Sequence, residues 1–292
     1  MDRREFLLGG AAAVTAGCVS VGGATYGANG GKPRFHLGMA GYTYRDFSTD
    51  AMLEAMERLD VRYLCVKSFH LPFTATDSEI ATFRQKCADH GVVPYGLGPV
   101  TSDKFDDFKV AFDFAKRLGV DTVVAIPYKD GPMKSDLDRT GNREICEKAS
   151  DLCDSYGVKF AIHNHGPDFP LLFPTGESIC EAVRDLSPRM GMCLDIGHEY
   201  RSFKDPAETI RRYRNRLFDL HLKNLTTDAA TRKGDVAVPL SRGVLDLPSV
   251  IRALVEIGYA GCCSIEYEAD FKDNYAKLAE CVGYYKGAMD ML

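Results

Sequence analysis

Eight short apolar runs, separated by longer stretches whose apolar residues fall three or four apart, predict an α/β fold: a single (β/α)8 barrel preceded by an N-terminal export signal. Two further observations support it. The ends of the runs lie about 27–44 residues apart, too far for hairpins and suited to strand–helix units joined by right-handed crossovers. Several runs also end in side chains able to ligate a metal, and in such barrels the C-terminal strand ends share one face.

Residues 1–28 are read as a signal and linker, outside the barrel. Asp2-Arg3-Arg4-Glu5-Phe6-Leu7-Leu8 resembles a twin-arginine export signal, followed by a weakly apolar stretch too short to span a bilayer. Thr15-Ala16-Gly17-Cys18 resembles a lipobox, so the two expectations are a lipid anchor at Cys18 or cleavage near Ala24 or Ala28. Either places the mature protein outside the cytoplasm, in the periplasm or on the outer face of a membrane. A basic tail before a cytosolic enzyme is the alternative.

The barrel is expected over 33–292, with strands at 35–40, 63–68, 92–97, 122–126, 159–163, 190–195, 217–222 and 262–266. Gly91, Gly119 and Gly157 stand where a helix should stop and a strand begin, because glycine readily takes the left-handed C-terminal cap. Asp77 and Asp205 are expected helix starts, and 272–289 an eighth helix closing the barrel. An open doubly wound sheet is the competing fold, but no GxGxxG follows the first run and no Walker motif is present. The longest strand-end loop, 224–244, carries Arg232, Lys233 and Arg242, which could cover a ligand or contact an anionic group.

A length of 292 residues exceeds the roughly 250 that such a barrel needs. The net charge of -5 disfavours a nucleic-acid partner. Of ten cysteines, nine fall in strand-like or helix-like stretches, which suits buried free thiols better than loop-stapling disulfides.

Four runs end in His163, Asp195, His221 and Glu266. Such groups are costly to bury unless paired or coordinated, so their repeated placement predicts one shared divalent cation. His165 could replace His163 as the ligand. Side chains two apart along a strand face the same way, so His165, Lys223 and Glu268 would stand outside His163, His221 and Glu266, with His198 just past Asp195. A metal-free arrangement is also open, with hydrogen-bonded histidines and Glu266 paired to Lys67 or Lys223.

The segments Ile162-His163-Asn164-His165-Gly166, Leu194-Asp195-Ile196-Gly197-His198, Leu220-His221-Leu222-Lys223 and Ile265-Glu266 resemble, in this order, the sugar phosphate isomerase/epimerase superfamily of xylose isomerase-like TIM barrels. The resemblance covers roughly 35–292. It implies one divalent ion, Mn2+, Co2+ or Mg2+, held at these four positions, and a small carbohydrate substrate. His163 stands where many members carry a glutamate; that removes one of two opposed carboxylates and puts two-faced epimerisation in doubt.

The implied chemistry is proton abstraction beside a sugar carbonyl, with Glu266 as base and His165, His198 or Lys223 as proton donor. Tyr42, Tyr44, Lys67 and His70 are candidate sugar contacts. The first expectation is a metal-dependent isomerase or epimerase acting through an enediolate on a non-phosphorylated sugar. The second is a 3-keto-sugar or 3-keto-glycoside lyase or hydratase, and the third an exported sugar-binding barrel without turnover. An abasic-site endonuclease needs more ligands than this chain displays. Self-association into a homo-oligomer is left open.

Overall fold

Branched and apolar runs bounded by glycine and acidic residues do form strands, because both faces of each run find cover inside a closed parallel sheet. The structure is a computed structural model and describes residues 35–128, 136–167, 173–226 and 236–292. The strands are β1 His36–Ala40, β2 Tyr63–Val66, β3 Val93–Ser102, β4 Thr122–Pro127, β5 Lys159–His163, β6 Met190–Asp195, β7 Leu217–Leu222, β8 Asn224–Thr226, β9 Val236–Val238 and β10 Cys262–Ile265. Eight of them close a parallel barrel in the order β1-β10-β7-β6-β5-β4-β3-β2. The N-terminal 34 residues, with the export motif and Cys18, lie outside the described residues. Among the described residues no helix is long and apolar enough to cross a membrane.

The helices are α1 Thr49–Arg58, α2 Asp77–Asp89, α3 Phe105–Leu118, α4 Asp136–Tyr156, α5 Gly176–Ala182, α6 Ile196–Arg201, α7 Pro206–Arg212, α8 Leu247–Glu256 and α9 Tyr275–Asp290. In α3 the residues Phe108, Ala111, Phe112, Ala115 and Leu118 are buried at helical spacing. Phe108 and Phe112 meet Phe160 of β5 with ring centroids 5.4 and 5.9 Å apart. Each such buried ring contributes roughly 1.5–3 kcal/mol relative to exposure. Gly119 ends the helix at φ 83°, a conformation that side chains with a Cβ rarely adopt. Asp205 caps α7 by accepting from Ala207 N. At α2 the cap is Thr76, one residue before the expected Asp77, closing a capping box with Glu79.

Two differences from the sequence reading bear on the site. β3 continues past Leu97 to Ser102, with its register to β4 breaking between Leu97 and Val100. Pro99 has no N–H for the ladder, and Gly98 sits at φ 126° where an added Cβ would lie 2.2 Å from Val124 O, so the strand bulges there and resumes. The second difference is in 224–244, where β8 and β9 pair antiparallel, Asn224 opposite Val238. Arg232 and Lys233 lie outside the described residues. Arg242 is turned to the surface in a bidentate pair with Glu280, at 2.6 and 2.5 Å, which satisfies its charge away from the barrel mouth.

One continuous apolar cluster fills the space between barrel and helices. Within the barrel Cys65, Val124, Ala161 and Cys193 form a smaller one. The nine described cysteines are all buried and free, in line with their placement in regular elements. The barrel interior also holds the Asp219 carboxylate, bonded by Tyr95 Oη at 3.0 Å and Leu220 N at 2.9 Å. Burial pushes that carboxyl up to about 6.

Candidate metal centre and substrate cavity

Period-two alternation brings His163, Asp195 and His221 to the inner face at the C-terminal ends of β5, β6 and β7, and Glu266 follows β10 directly. Asp195 lies beside His221 in the β6–β7 register, and His163 opposes Cys193, one layer below Asp195. One donor atom from each of the four residues falls within 4.8 Å of every other, and all four side chains are buried. His163 Nε2 is 3.1 Å from His221 Nδ1, 3.7 Å from Asp195 Oδ2 and 4.0 Å from Glu266 Oε2; His221 Nδ1 is 3.2 Å from Glu266 Oε2.

These spacings fit one ion. Donors about 2.1 Å from a shared tetrahedral centre stand about 3.4 Å from each other. Two imidazoles and two carboxylates form a mixed nitrogen and oxygen set suited to Zn2+, Mn2+, Fe2+ or Co2+. Asp195 divides its oxygens: Oδ1 caps α6 by accepting from His198 N at 2.8 Å, while Oδ2 faces the cluster and the Lys223 ammonium. His163 supplies the nitrogen at the centre, and His165 stands outside it with ring centroids 6.3 Å apart.

Lys223 sits against the same carboxylates. Its Nζ is 3.2 Å from Asp195 Oδ2, 3.1 Å from Glu266 Oε2 and 2.8 Å from Glu268 Oε2. Burial works against this ammonium, but Asp195, Glu266 and Glu268 outweigh it and hold Lys223 well above the usual lysine range. Burial likewise opposes ionisation of Asp195 and Glu266; Lys223 leads the groups that overcome it, holding Asp195 at about 2 and Glu266 well below the carboxylate range. Burial, then His221, takes His163 down to about 3, whereas Glu266 keeps His221 raised against its own burial. Asp195 and Glu266 are thus held ionised, with the charges of Lys223 and His221 set directly against them.

Behind the ligands lies a clasp that the sequence reading did not find. Asn164 accepts from Asp195 N at 2.7 Å and donates to Asp195 O at 3.1 Å, so one amide grips the peptide on both sides of Asp195. The amide is oriented in turn by Glu199 Oε2 at 3.2 Å, and Glu199 also accepts from Gly176 N at 2.9 Å and Thr209 Oγ1 at 2.7 Å. Burial pushes the Glu199 carboxyl up to about 7 against the pull of those donors. Asn164 points away from the barrel axis and Glu199 belongs to a helix, so neither stands among the strand-end ligand types.

Above the centre is a cavity of about 240 Å³ lined by His163, His165, His198, Lys223, Glu266 and Glu268 on one wall and by Tyr42, Lys67, Pro99, Thr101, Ile126 and Tyr128 on the other. His165 and His198 lie ring to ring at 4.0 Å, and His198 Nδ1 is 3.1 Å from Gly166 O. Burial lowers both imidazoles, His198 furthest, so this wall presents neutral rings. Tyr42 anchors an aromatic rim with Phe69 and Phe271, at 6.2 and 5.8 Å.

Two expected sugar contacts do not reach the cavity. His70 is turned inward with Nε2 3.0 Å from Tyr44 O, where it ties the second strand end to the first, and Tyr44 is fully buried in the core. In their place the structure brings Thr101 and Tyr128, which follow from the ends of β3 and β4 by the same strand-end rule that located the ligands.

A family model described as a xylose isomerase-like TIM barrel matches residues 41–283. The rhizopine catabolism protein MocC of Rhizobium meliloti is 27% identical over 171 residues, 49% of this chain and 51% of that protein. The inosose dehydratase of Geobacillus kaustophilus is 27% identical over 151 residues, 46% and 48% of the two. The chain thus spans about half the length of these curated relatives. The solved structure of the IOLI protein with a zinc atom shares the fold at a TM-score of 0.70, with 22% identity over 87% of this chain and 96% of that one.

Proposed function

As the chain belongs to the xylose isomerase-like TIM barrel family, whose relatives include enzymes of small polyhydroxylated substrates, we propose that it is a divalent-metal-dependent isomerase of a non-phosphorylated sugar. The observation that carries this reading is the buried His163, Asp195, His221 and Glu266 quartet beneath a cavity whose lining adds Lys223, Glu268, His165 and His198. A zinc atom in a protein of the same fold is consistent with it. A divalent ion held by the four would polarise a substrate carbonyl and its neighbouring hydroxyl, acidifying the adjacent C–H.

The chain's own groups divide the remaining work. Glu266 engages His221 and Lys223 through Oε2, and its other oxygen is assigned as the base that takes the carbon-bound proton. Lys223, fixed by Glu268 and charged, stabilises negative charge developing on the substrate oxygen. His165 and His198, neutral rings in the same lining, relay a proton to or from hydroxyls. Tyr42 offers a ring face and Lys67 a donor to the sugar.

A carboxylate base and an imidazole proton donor make a chemically unsymmetrical pair. That favours moving a proton between neighbouring carbons, or expelling a β-oxygen, over inversion from two equivalent faces. Elimination from a 3-keto sugar or glycoside is therefore the second reading. Incubating the metal-loaded protein in deuterated water with ketoses and 3-keto glycosides separates the two: deuterium entry without group loss marks isomerisation, and release of a leaving group marks elimination. Lys223→Met should keep ion affinity within a few-fold while depressing turnover by about 10²-fold or more, the scale of one lost charge-stabilising donor. If neither exchange nor release occurs with ion bound, a binding barrel without turnover is the surviving reading.

Export and processing, with lipid at Cys18 or cleavage near Ala24 or Ala28, are proposed from the N-terminal motif alone. Cell fractionation of the full chain and of an Arg3→Lys, Arg4→Lys variant tests them, with cytoplasmic retention of the variant expected.

A further inference from the structure

One layer below the quartet, the barrel interior changes from carboxylates to thiols. Cys193 of β6 opposes His163 across the β5–β6 ladder, and Cys65 of β2 lies beside His221. One donor atom each from His163, Cys193 and His221 falls within 4.8 Å of the other two, and all three side chains are buried. Around a trigonal ion, with nitrogen about 2.0–2.1 Å and sulfur about 2.3 Å from the metal, donors stand about 3.5–3.8 Å apart, so a contraction of at most about 1 Å closes the triad on one ion. Both rings also have a buried nitrogen, His163 Nδ1 and His221 Nε2, that makes no hydrogen bond among the described residues. Two such imidazoles set against a thiol form a softer donor set than the quartet above them.

We propose that His163, Cys193 and His221 form a second, thiophilic metal site beneath the quartet, taking a soft closed-shell ion such as Cu+ or Cd2+. Two imidazoles and one thiolate are a trigonal donor set used for copper, whereas Mn2+ and Mg2+ prefer carboxylate oxygens like those of Asp195 and Glu266. As the sulfur–metal bond forms, the Cys193 S–H bond breaks and its proton leaves through Asp219 Oδ2, which already accepts from that thiol at 3.8 Å. The two sites exclude each other. A neutral imidazole has one nitrogen lone pair to give, so rings drawn onto the soft ion are lost to the quartet, and the soft ion empties the upper centre instead of replacing the ion within it. That consequence, though not the site itself, rests on the reading of the quartet as the catalytic centre.

Adding Cd2+, a redox-inert probe, to the full chain loaded with Mn2+ tests the proposal by ultraviolet absorption, where a cadmium–thiolate bond gives a charge-transfer band. One equivalent of Cd2+ should raise the band and release one equivalent of Mn2+, read from the paramagnetic resonance of the freed ion. Glu266→Gln, which removes a quartet ligand alone, should keep the band, and so should Cys65→Ser. Cys193→Ser should lose it, still bind Mn2+ with wild-type affinity, and need at least about tenfold more Cd2+ to release that ion. A wild-type crystal soaked in Cd2+ should show the anomalous peak at bonding distance from Cys193 Sγ, a readout independent of any variant's folding. The proposal is overturned if the wild type gains no thiolate band, if the band survives Cys193→Ser, or if Glu266→Gln abolishes it, since the ion would then sit in the quartet. A wild type that gives the band but never binds Mn2+ would refute the catalytic centre and leave the thiophilic site standing.

Discussion

The two walls of the barrel mouth are built on opposite plans. On the side of β5, β6, β7 and β10, the four candidate ligands and Lys223 are strand-end side chains nearly excluded from water, and two have a second hold: Asp195 by the α6 cap and the Asn164 clasp, Lys223 by Glu268. On the side of β1 to β4, the lining apart from Lys67 is aromatic, aliphatic or small: Tyr42, Pro99, Thr101, Ile126 and Tyr128. Rigid, over-determined groups suit the placement of charge, where misplacement by about 1 Å can cost on the order of 10²-fold. Adaptable, partly exposed ones suit the recognition of a ligand's shape. On the proposed function, one half of the barrel carries the chemistry and the other would choose the substrate.

The sharpest break of this contrast is removal of a ligand. Asp195→Ala and His221→Ala should abolish stoichiometric ion binding, a loss exceeding the roughly 10–100-fold typical of changes behind the ligands. Asp195→Ala should also cost about 1 kcal/mol of stability through the lost α6 cap. Metal analysis of the purified variants and urea unfolding measure the two effects. Equal occupancy in wild type and both variants would dissolve the distinction between the walls.

Next in size is the clasp. Asn164→Ala leaves every ligand present but frees the peptide around Asp195, so ion affinity should fall roughly 10–100-fold by competition with a metal-indicator dye. An unchanged affinity would mean that the barrel strands alone position Asp195.

Glu199 separates a structural from an electrostatic role within the same wall. Its carboxyl is raised from an ordinary 4.5 to about 7 in the folded protein, so the folded state retains a proton that the unfolded chain releases first. Stability from this group is complete below about 4.5 and is lost as pH rises through about 7, by on the order of 3 kcal/mol. In Glu199→Gln the amide can accept from Asn164 and Gly176 and donate to Thr209, so the fold should persist and that pH dependence should vanish. Denaturation midpoints from pH 5 to pH 8 would reveal it; parallel profiles for both proteins would contradict the assignment.

The smallest effect belongs to the other wall. Tyr42→Ala should leave ion affinity unchanged and weaken sugar binding by about 0.5–1.5 kcal/mol, raising KM more than it lowers kcat.

Much of this was readable in the chain because strand ends are local features. Apolar runs closing on His163, Asp195, His221 and Glu266 needed only the period of a strand and the geometry of a closed barrel to be brought to one point. Asn164 and Glu199 escaped because their importance lies in what they touch across elements, and an amide or a helical glutamate looks the same whether it faces water or a neighbouring peptide. His70 misled for the same reason: it follows a strand end like the others, yet its ring turns to the Tyr44 carbonyl. The length of β3 depended on a bulge at Gly98-Pro99, which in sequence reads as a stop.

By itself, then, the sequence determined the eight barrel strands and their order, the helix ends marked by glycine, and the residue types able to bind a cation, since each follows from chemistry between near neighbours in the chain. Tertiary structure decided the 3–4 Å spacings among those donors and the intrusion of Lys223 between their carboxylates. Those depend on how far strands tilt and loops fold over the barrel mouth, which is fixed by packing among residues distant in sequence.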